Sequence, residues 1–324
     1  MESKSETLRE VIKETVRHHL TRENGLAMGQ CLTAVGWVGG TLPELYEEDG
    51  MVELSMADVA GAGFAVGAAL AGKRPIYVIR YQGFNWYNAP IIANYACKSK
   101  EIWRRPCAMF IRSIAMEGGI GPVAGSSHHA IYYRMPGVRI LSPMTPNEYR
   151  EAYREFMAND DVYYISEHRG PHPTPPAFPA TPNTQELPDT LQDEPDIILF
   201  PISITRFAAT EAARSLLEQG IRVSVAHIFR VKPFAPSSVS LENLRAARFG
   251  GIVLDDDYPD GIAKALAHDL SVTTGAEMQT LGLDNRSAGF DKKVDNLPPD
   301  RDKIVRFVLA RIEQAVADQR ARNQ

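Results

Sequence analysis

The stretch ELSMADVAGAGFAVGAALAGKRPIYVI, residues 53–79, decides the fold. Between Val59 and Ala71 it contains only alanine, glycine, valine, leucine and one phenylalanine, with no charge. Such a run predicts a fully buried helix whose small side chains allow close packing. Lys73-Arg74-Pro75 ends it, and Ile76-Tyr77-Val78-Ile79 reads as a short strand of β-branched and aromatic residues. A helix that delivers the chain directly into a buried strand is the signature of an α/β fold.

The pattern continues on both sides. Upstream, Leu8, Val11, Ile12, Val16 and Leu20 recur at three- and four-residue intervals, an amphipathic helix over 5–22. Downstream, the sequence predicts a helix over 89–101, a strand at 107–111, a glycine-rich loop over 118–125, a strand at 138–141, a helix over 147–157 and a strand at 162–165. This alternation predicts a parallel sheet with helices on both faces. Pro171, Pro173, Pro175, Pro176, Pro179 and Pro182 then exclude both helix and central strand and mark a linker. A second series follows, with strands at 197–200, 223–225 and 251–254 and helices over 208–220, 261–273 and 299–317. The expected architecture is two doubly wound α/β domains, residues 1–185 and 186–324.

Composition narrows the function. A chain of 324 residues that is 44% hydrophobic and 23% charged buries a real core, which excludes disordered and low-complexity classes. The formal charge of −5 leaves no basic footprint for nucleic acid or an anionic membrane. Three cysteines, Cys31, Cys97 and Cys107, lack C-x-x-C spacing, which argues against a disulfide framework and a cysteine zinc site and for a reducing compartment. The polar N-terminus and the lack of an apolar run near ~18 residues lead to the expectation of a soluble, cytoplasmic protein.

Generic catalytic motifs are absent: there is no G-x-S-x-G, no phosphate-binding G-x-x-x-x-G-K-[ST] and no H-E-x-x-H. The glycine-rich loop carries Gly119 and Gly121 but Ala124 where a dinucleotide fingerprint needs a third glycine. Histidines are more informative. His128 and His129 close that loop, and His168 and His172 follow the last strand of the first series, so a parallel sheet brings both segments to the rim where such sheets bind ligands. Pro171 and Pro173 prevent one helical face from presenting His168 and His172 to a metal, and no metal site is expected.

The segment from Glu53 to Pro75 resembles the acid-rich stretch before the Gly/Ala helix in beta subunits of thiamine-diphosphate-dependent 2-oxo-acid dehydrogenases. It is similar also to the pyrimidine-binding domain of transketolases and deoxyxylulose-phosphate synthases. Gly29-Gln30-Cys31 and Gly39-Gly40 fall where that family has Gly-Glu-Asp and Gly-Gly. Phe84, Asn94, Lys98 and the run from Pro136 to Pro146 follow its order, and the stretches from Val253 to Gly261 and Leu281 to Asp284 match a transketolase C-terminal domain.

The resemblance implies thiamine diphosphate as cofactor. Asp58 then stands where the family has the glutamate that promotes the imino form of the aminopyrimidine, one methylene shorter. Phe84 stands where the family stacks an aromatic on the pyrimidine, Tyr81 and Tyr87 are candidate walls, and Gln30 replaces an acid. His128, or His129 beside it, would face the substrate, and Arg112, Arg134, His168 and Arg169 would supply positive charge at its mouth. Each residue also has a structural reading: Asp58 as a helix N-cap, Phe84 as aromatic core, the histidines as loop packing and the cations as solvated.

The family's Mg²⁺ motif, a G-D-G followed downstream by an asparagine pair, is absent. The resemblance therefore implies an alpha-type partner that supplies the diphosphate and Mg²⁺ half of the site, most simply in an α2β2 assembly. It leads first to a 2-oxo-acid decarboxylation with transfer of the activated aldehyde, with a lipoyl acyltransferase as a further partner. A split transketolase moving a ketol unit between sugar phosphates is the second version. A non-catalytic subunit is the third, since Asp58 and Gln30 both depart from the family pattern.

Overall fold

The computed structural model describes residues 6–116, 127–169 and 184–322, so the glycine-rich loop over 118–125, most of the proline-rich linker, and His172 lie outside the described residues. The chain divides into two compact units. The first takes Met1–Glu186 together with Phe229–Pro233 and Ser287–Asp295, and the second takes Leu187–Ile228, Phe234–Arg286 and Asn296–Gln324.

The N-terminal run holds α1 (Leu8–Thr21), β1 (Leu26–Gln30), α2 (Ala34–Gly40), β2 (Met51–Leu54), α3 (Asp58–Leu70) and β3 (Pro75–Ile79). It continues through α4 (Asn85–Ile91), α5 (Cys97–Ile102), β4 (Met109–Ala115), α6 (Ala130–Tyr133), β5 (Val138–Leu141), α7 (Pro146–Ala158) and β6 (Val162–His168). After the linker come β7 (Ile197–Pro201), α8 (Thr205–Leu217), β8 (Val223–Val225) and β9 (Arg230–Lys232). The remainder is α9 (Ser238–Ala246), β10 (Gly251–Leu254), α10 (Ile262–Thr274), β11 (Met278–Leu281) and α11 (Arg301–Arg322).

The first unit is built on a seven-stranded sheet in the order β2-β1-β3-β4-β6-β5-β9. Every pairing is parallel except that of β9, which runs antiparallel to β5. Strands β3, β4 and β6 are buried along their whole length, as strands covered on both faces must be. The second unit is an all-parallel four-stranded sheet in the order β11-β10-β7-β8. Its core joins Ile197, Leu199, Ile252 and Leu254 to Ala209, Leu216, Ile304 and Val308. Among the described residues no helix is long and apolar enough to cross a membrane.

Local chemistry sets the elements that frame the first sheet. Helix α1 opens on a capping box, with Thr7 Oγ1 accepting from the Glu10 amide and the Glu10 carboxylate accepting from the Thr7 amide. Thr145 caps α7, and Pro146 occupies its first turn where a missing N–H costs nothing. Pro90 lies inside α4, and a π-helical turn over Ile92–Ala96 joins α4 to α5. The expectation of a fully buried helix after Asp58 needs correction. Helix α3 buries Gly61, Ala62, Ala65, Val66 and Ala69, whereas Val59 and Phe64 are 53% and 64% exposed, because small residues fill both faces and hydropathy alone cannot tell them apart.

All three cysteines are free thiols, and burial above all pushes Cys97 and Cys107 up to about 12, which leaves them unreactive at neutral pH.

Beneath α1 lies a buried titratable group. His19 Nε2 donates to the carbonyl of Arg74 at 2.7 Å, so its Nδ1, 3.0 Å from the Tyr153 hydroxyl, is the acceptor of a neutral ring. Burial lowers the His19 pKa from 6.5 to about 4. The unfolded chain takes up this proton first as pH falls through about 6.5, so stability is complete above that value and is lost between about 6.5 and 4. The loss amounts to roughly 3 kcal/mol. Urea unfolding at pH 7.5 and pH 5 is expected to show the part of this loss that falls above pH 5, about 2 kcal/mol, and His19→Gln is expected to remove that part.

Candidate functional site

Strand order locates the site. The chain leaves β1 outward to β2 and returns on the other side of β1 as β3, so the connections diverge between β1 and β3. Ligands of open α/β sheets bind beyond the carboxyl ends of the strands at such a point. Gln30 ends β1 there, α3 begins at Asp58 after β2, and Tyr81 to Asn88 follow β3 into α4.

Register decides which side chains join it. Tyr77 pairs with Ile111, Ser113 with Ser166 and Ile111 with Tyr164 across β3, β4 and β6. Because side chains alternate between faces, Tyr77, Ser113, Tyr164 and Ser166 form a row of hydroxyls on one face of the sheet. Three amides from the β3–α4 connection and α4 bond to this row. Gln82 Nε2 donates to Ser166 Oγ at 2.9 Å and to the Ser113 carbonyl at 3.2 Å. Asn85 Nδ2 donates to Ser113 Oγ and to Tyr164 Oη, both at 2.9 Å. Asn88 Oδ1 accepts from the Tyr77 hydroxyl at 2.7 Å. All three amides are fully buried, so each bond is retained in a low-dielectric setting.

The amides in turn hold the expected site residues. Asn88 Nδ2 donates to Asp58 Oδ1 at 2.9 Å and to the Phe84 carbonyl at 2.9 Å. Asp58 is the first residue of α3, and Ala57 is its N-cap, so the N-cap reading of Asp58 does not hold. A carboxylate at this position also faces the positive end of the helix dipole. The Phe84 and Tyr81 rings lie 5.9 Å apart and tilted, both half-buried. Gln30 Nε2 is buried and has no hydrogen-bond partner among the described residues.

Both histidines sit over the same row. The His128 amide donates to Gln82 Oε1 at 2.7 Å, and its ring meets Trp86 edge-on at 6.3 Å. His129 is fully buried with Nδ1 2.9 Å from Ser166 Oγ.

Other expected residues are placed differently. Tyr87 is 57% exposed on α4 and does not join the Tyr81–Phe84 pair. Arg112 is not at a mouth. It pairs across β4 and β6 with Ile165, on the opposite sheet face from Ser113, and is 0% exposed. Its Nε and Nη2 donate to Glu167 Oε1 and Oε2 at 2.7 and 2.9 Å, with Nη2 also 3.1 Å from Thr41 Oγ1. That guanidinium is fully committed to a buried carboxylate. His168, the last residue of β6, is 2% exposed, so of the four expected cations Arg169, partly exposed, and Arg134, exposed just after α6, lie outside the core. Sequence reasoning missed Gln82, Asn85 and Asn88. Their three-residue spacing among aromatics, Gln82-Gly-Phe-Asn85-Trp-Tyr-Asn88, was the available signal.

The transketolase pyrimidine-binding domain family matches residues 6–174, more than half of the chain. The chain belongs to this family. The family is thiamine-diphosphate dependent. Among relatives of this chain, 1-deoxy-D-xylulose-5-phosphate synthase 1 of Geobacter sulfurreducens is 25% identical over 250 residues, covering 72% of this chain and 36% of that protein. The beta subunit of acetoin:2,6-dichlorophenolindophenol oxidoreductase of Cupriavidus necator is 23% identical, covering 72% of this chain and 75% of that subunit. The beta subunit of 2-oxoisovalerate dehydrogenase of Bacillus subtilis is 24% identical, covering 71% and 73%. Against the synthase the chain spans about a third of the relative's length; against the two beta subunits it spans about three quarters.

Solved structures agree on the fold. A split-gene transketolase, described as an inactive beta4 tetramer, superposes with a TM-score of 0.67 at 16% identity, covering 97% of this chain and 99% of that one. The transketolase of Campylobacter jejuni gives 0.68 at 16% identity over 94% of this chain but 46% of its own.

Proposed function

We propose that this chain is the beta-type, pyrimidine-binding subunit of a two-component thiamine-diphosphate enzyme that decarboxylates a 2-oxo acid and passes on the activated aldehyde. In this reading residues 1–185 bind the pyrimidine and residues 186–324 form the transketolase C-terminal-like domain. The observation that carries the reading is the carboxylate of Asp58, held by Asn88 at the start of α3 beside the Phe84–Tyr81 pair.

The donor set fits the aminopyrimidine end of the cofactor. The orphaned, buried Gln30 Nε2 offers a donor, Asp58 offers an acceptor, and the Phe84 ring offers an apolar face. When bound, thiamine diphosphate supplies a thiazolium carbon that adds to a carbonyl and accommodates the electron pair released there. Asp58 Oδ2 would hold the proton at the pyrimidine ring nitrogen, while Oδ1 stays on Asn88. His128, anchored by Gln82, would face the substrate and donate or accept its proton.

The chain carries no G-D-G, so the diphosphate and Mg²⁺ fall to an alpha-type partner. An exposed apolar surface supports that partner. Val59 and Phe64 on α3, Trp86 and Tyr87 on α4, and Ile102 and Trp103 after the π-helical turn are each 48% to 65% exposed. Surfaces of this kind mark protein interfaces. An α2β2 assembly in the cytoplasm, with a lipoyl acyltransferase as acceptor, completes the proposal.

Ketol transfer between sugar phosphates is the second reading, favoured by the near-complete mutual coverage with the split-gene transketolase. The test is to purify the chain with its bound partner and compare decarboxylation of pyruvate and branched 2-oxo acids, read with a dye acceptor, against ketol transfer from a sugar phosphate. Oxo-acid turnover that requires thiamine diphosphate is expected. Ketol transfer alone would move the assignment to the second reading, and turnover without thiamine diphosphate would overturn both.

A further inference from the structure

We infer that Asn88 is the positioning residue for Asp58: a relay from Tyr77 through Asn88 fixes one carboxylate oxygen and leaves the other for the cofactor's ring nitrogen. The inference rests on the cofactor reading of Asp58 and adds a residue to it.

Every polar atom of the Asn88 side chain is committed. Oδ1 accepts from Tyr77 at 2.7 Å, and Nδ2 donates to both Asp58 Oδ1 and the Phe84 carbonyl at 2.9 Å. The amide orientation is forced, since the reverse would set its carbonyl oxygen against two acceptors. Asn88 is 0% exposed, so water does not compete for these bonds.

The far end of the relay is rigid. Tyr77 lies in the middle of β3, which is paired on both sides by β1 and β4, and is 1% exposed. Burial first, and the charge of Asp58 second, raise the Tyr77 pKa above its ordinary value, so the phenol keeps its proton and remains a donor. Glycine at position 61 gives the hydroxyl its passage: a Cβ there would sit 3.0 Å from Tyr77 Oη. Tyr77 and Gly61 therefore share one small space under α3, with Asn88 bridging from α4.

This arrangement suits an aspartate. Its carboxylate has one fewer rotatable bond than a glutamate, so one charge-assisted hydrogen bond to Oδ1 restricts it strongly. With Oδ1 held, Oδ2 is the oxygen left to accept from the cofactor's ring nitrogen.

The test uses the full-length chain labelled with ¹³C-carboxyl aspartate, with the Asp58 signal assigned by its loss in Asp58→Asn. Asn88→Leu keeps the volume and removes the donor. It is expected to move the Asp58 carboxyl resonance at neutral pH, because Oδ1 loses its donor. Asn88→Asp replaces the donor with an acceptor and is expected to move that resonance further. Tyr77→Phe leaves Asn88 in place but unanchored and is expected to move the resonance less; it keeps the test open should Asn88→Leu fail to fold. In the partner-bound complex saturated with thiamine diphosphate, Asn88→Leu is expected to lower kcat at least ~10-fold and to leave the KM for the oxo acid little changed.

An Asp58 carboxyl resonance that is the same in all three variants as in the native chain overturns the relay. A displaced resonance combined with full activity of Asp58→Asn leaves the relay standing and overturns the cofactor reading instead.

Discussion

Asp58→Asn in the partner-bound complex is expected to lower kcat at least ~10²-fold at saturating thiamine diphosphate, the usual scale of a lost proton-transfer group. The substitution preserves shape, and the new amide oxygen still accepts from Asn88 Nδ2. In the proposed role, what it removes is the second oxygen's capacity to hold a proton on the ring nitrogen. Stability is expected to change by under ~1 kcal/mol, since no buried donor is left unmade. The pairing of a large kinetic loss with a small stability change separates chemistry from folding. Far-UV circular dichroism and thermal melting of the isolated chain supply the control. Full activity of Asp58→Asn would leave the non-catalytic reading of this subunit in place.

The second large effect concerns stability. Arg112→Leu strips the buried Glu167 of a two-pronged partner and leaves it, among the described residues, only the Tyr149 hydroxyl at 3.2 Å. Breaking a buried ion pair from one side costs about 3–5 kcal/mol, because a charge remains without compensation. Burial alone would lower the Arg112 pKa, but the Glu167 charge and the Tyr149 contact more than offset it, so the guanidinium stays charged in the folded state. The double substitution Arg112→Leu with Glu167→Leu is expected to recover most of the loss, since an apolar pair at a buried ionic site is often neutral or better. Equilibrium urea unfolding of the two single variants and the double variant checks this. A single variant within ~1 kcal/mol of the native chain contradicts it.

Much of this fold was legible in the chain. The three- and four-residue recurrence from Leu8 to Leu20 and the charge-free run after Asp58 gave α1 and α3, and Ile76 to Ile79 gave β3. Strand β1, Leu26-Ala-Met-Gly-Gln30, was not readable because it lacks β-branched and aromatic residues. Strand β9 is three residues drawn from after the linker to an antiparallel edge, a pairing without local signal.

The site was legible in part, for a related reason. Asp58, Phe84 and His128 lie on loops and helix starts where a motif shows in linear order. Arg112 was misread as a mouth cation because its partner is 55 residues away. The clue was its position inside Met109-Phe-Ile-Arg-Ser-Ile-Ala115, a strand buried at every residue, where a charge requires a buried partner. Glu167 is the one acid in the adjacent strand, Val162 to His168. The amides of Gln82, Asn85 and Asn88 became meaningful only when register set a row of hydroxyls beneath them.

The central claim is that this chain holds the pyrimidine half of a cofactor site completed by a partner. Isothermal titration of thiamine diphosphate with Mg²⁺ into the chain alone, and into the chain with its co-purified partner, tests it most directly. The expected result is saturable binding by the complex, weakened by Asp58→Asn, and none detectable by the chain alone. Equally tight binding by the chain alone, or binding by the complex that Asp58→Asn leaves unchanged, would contradict the account.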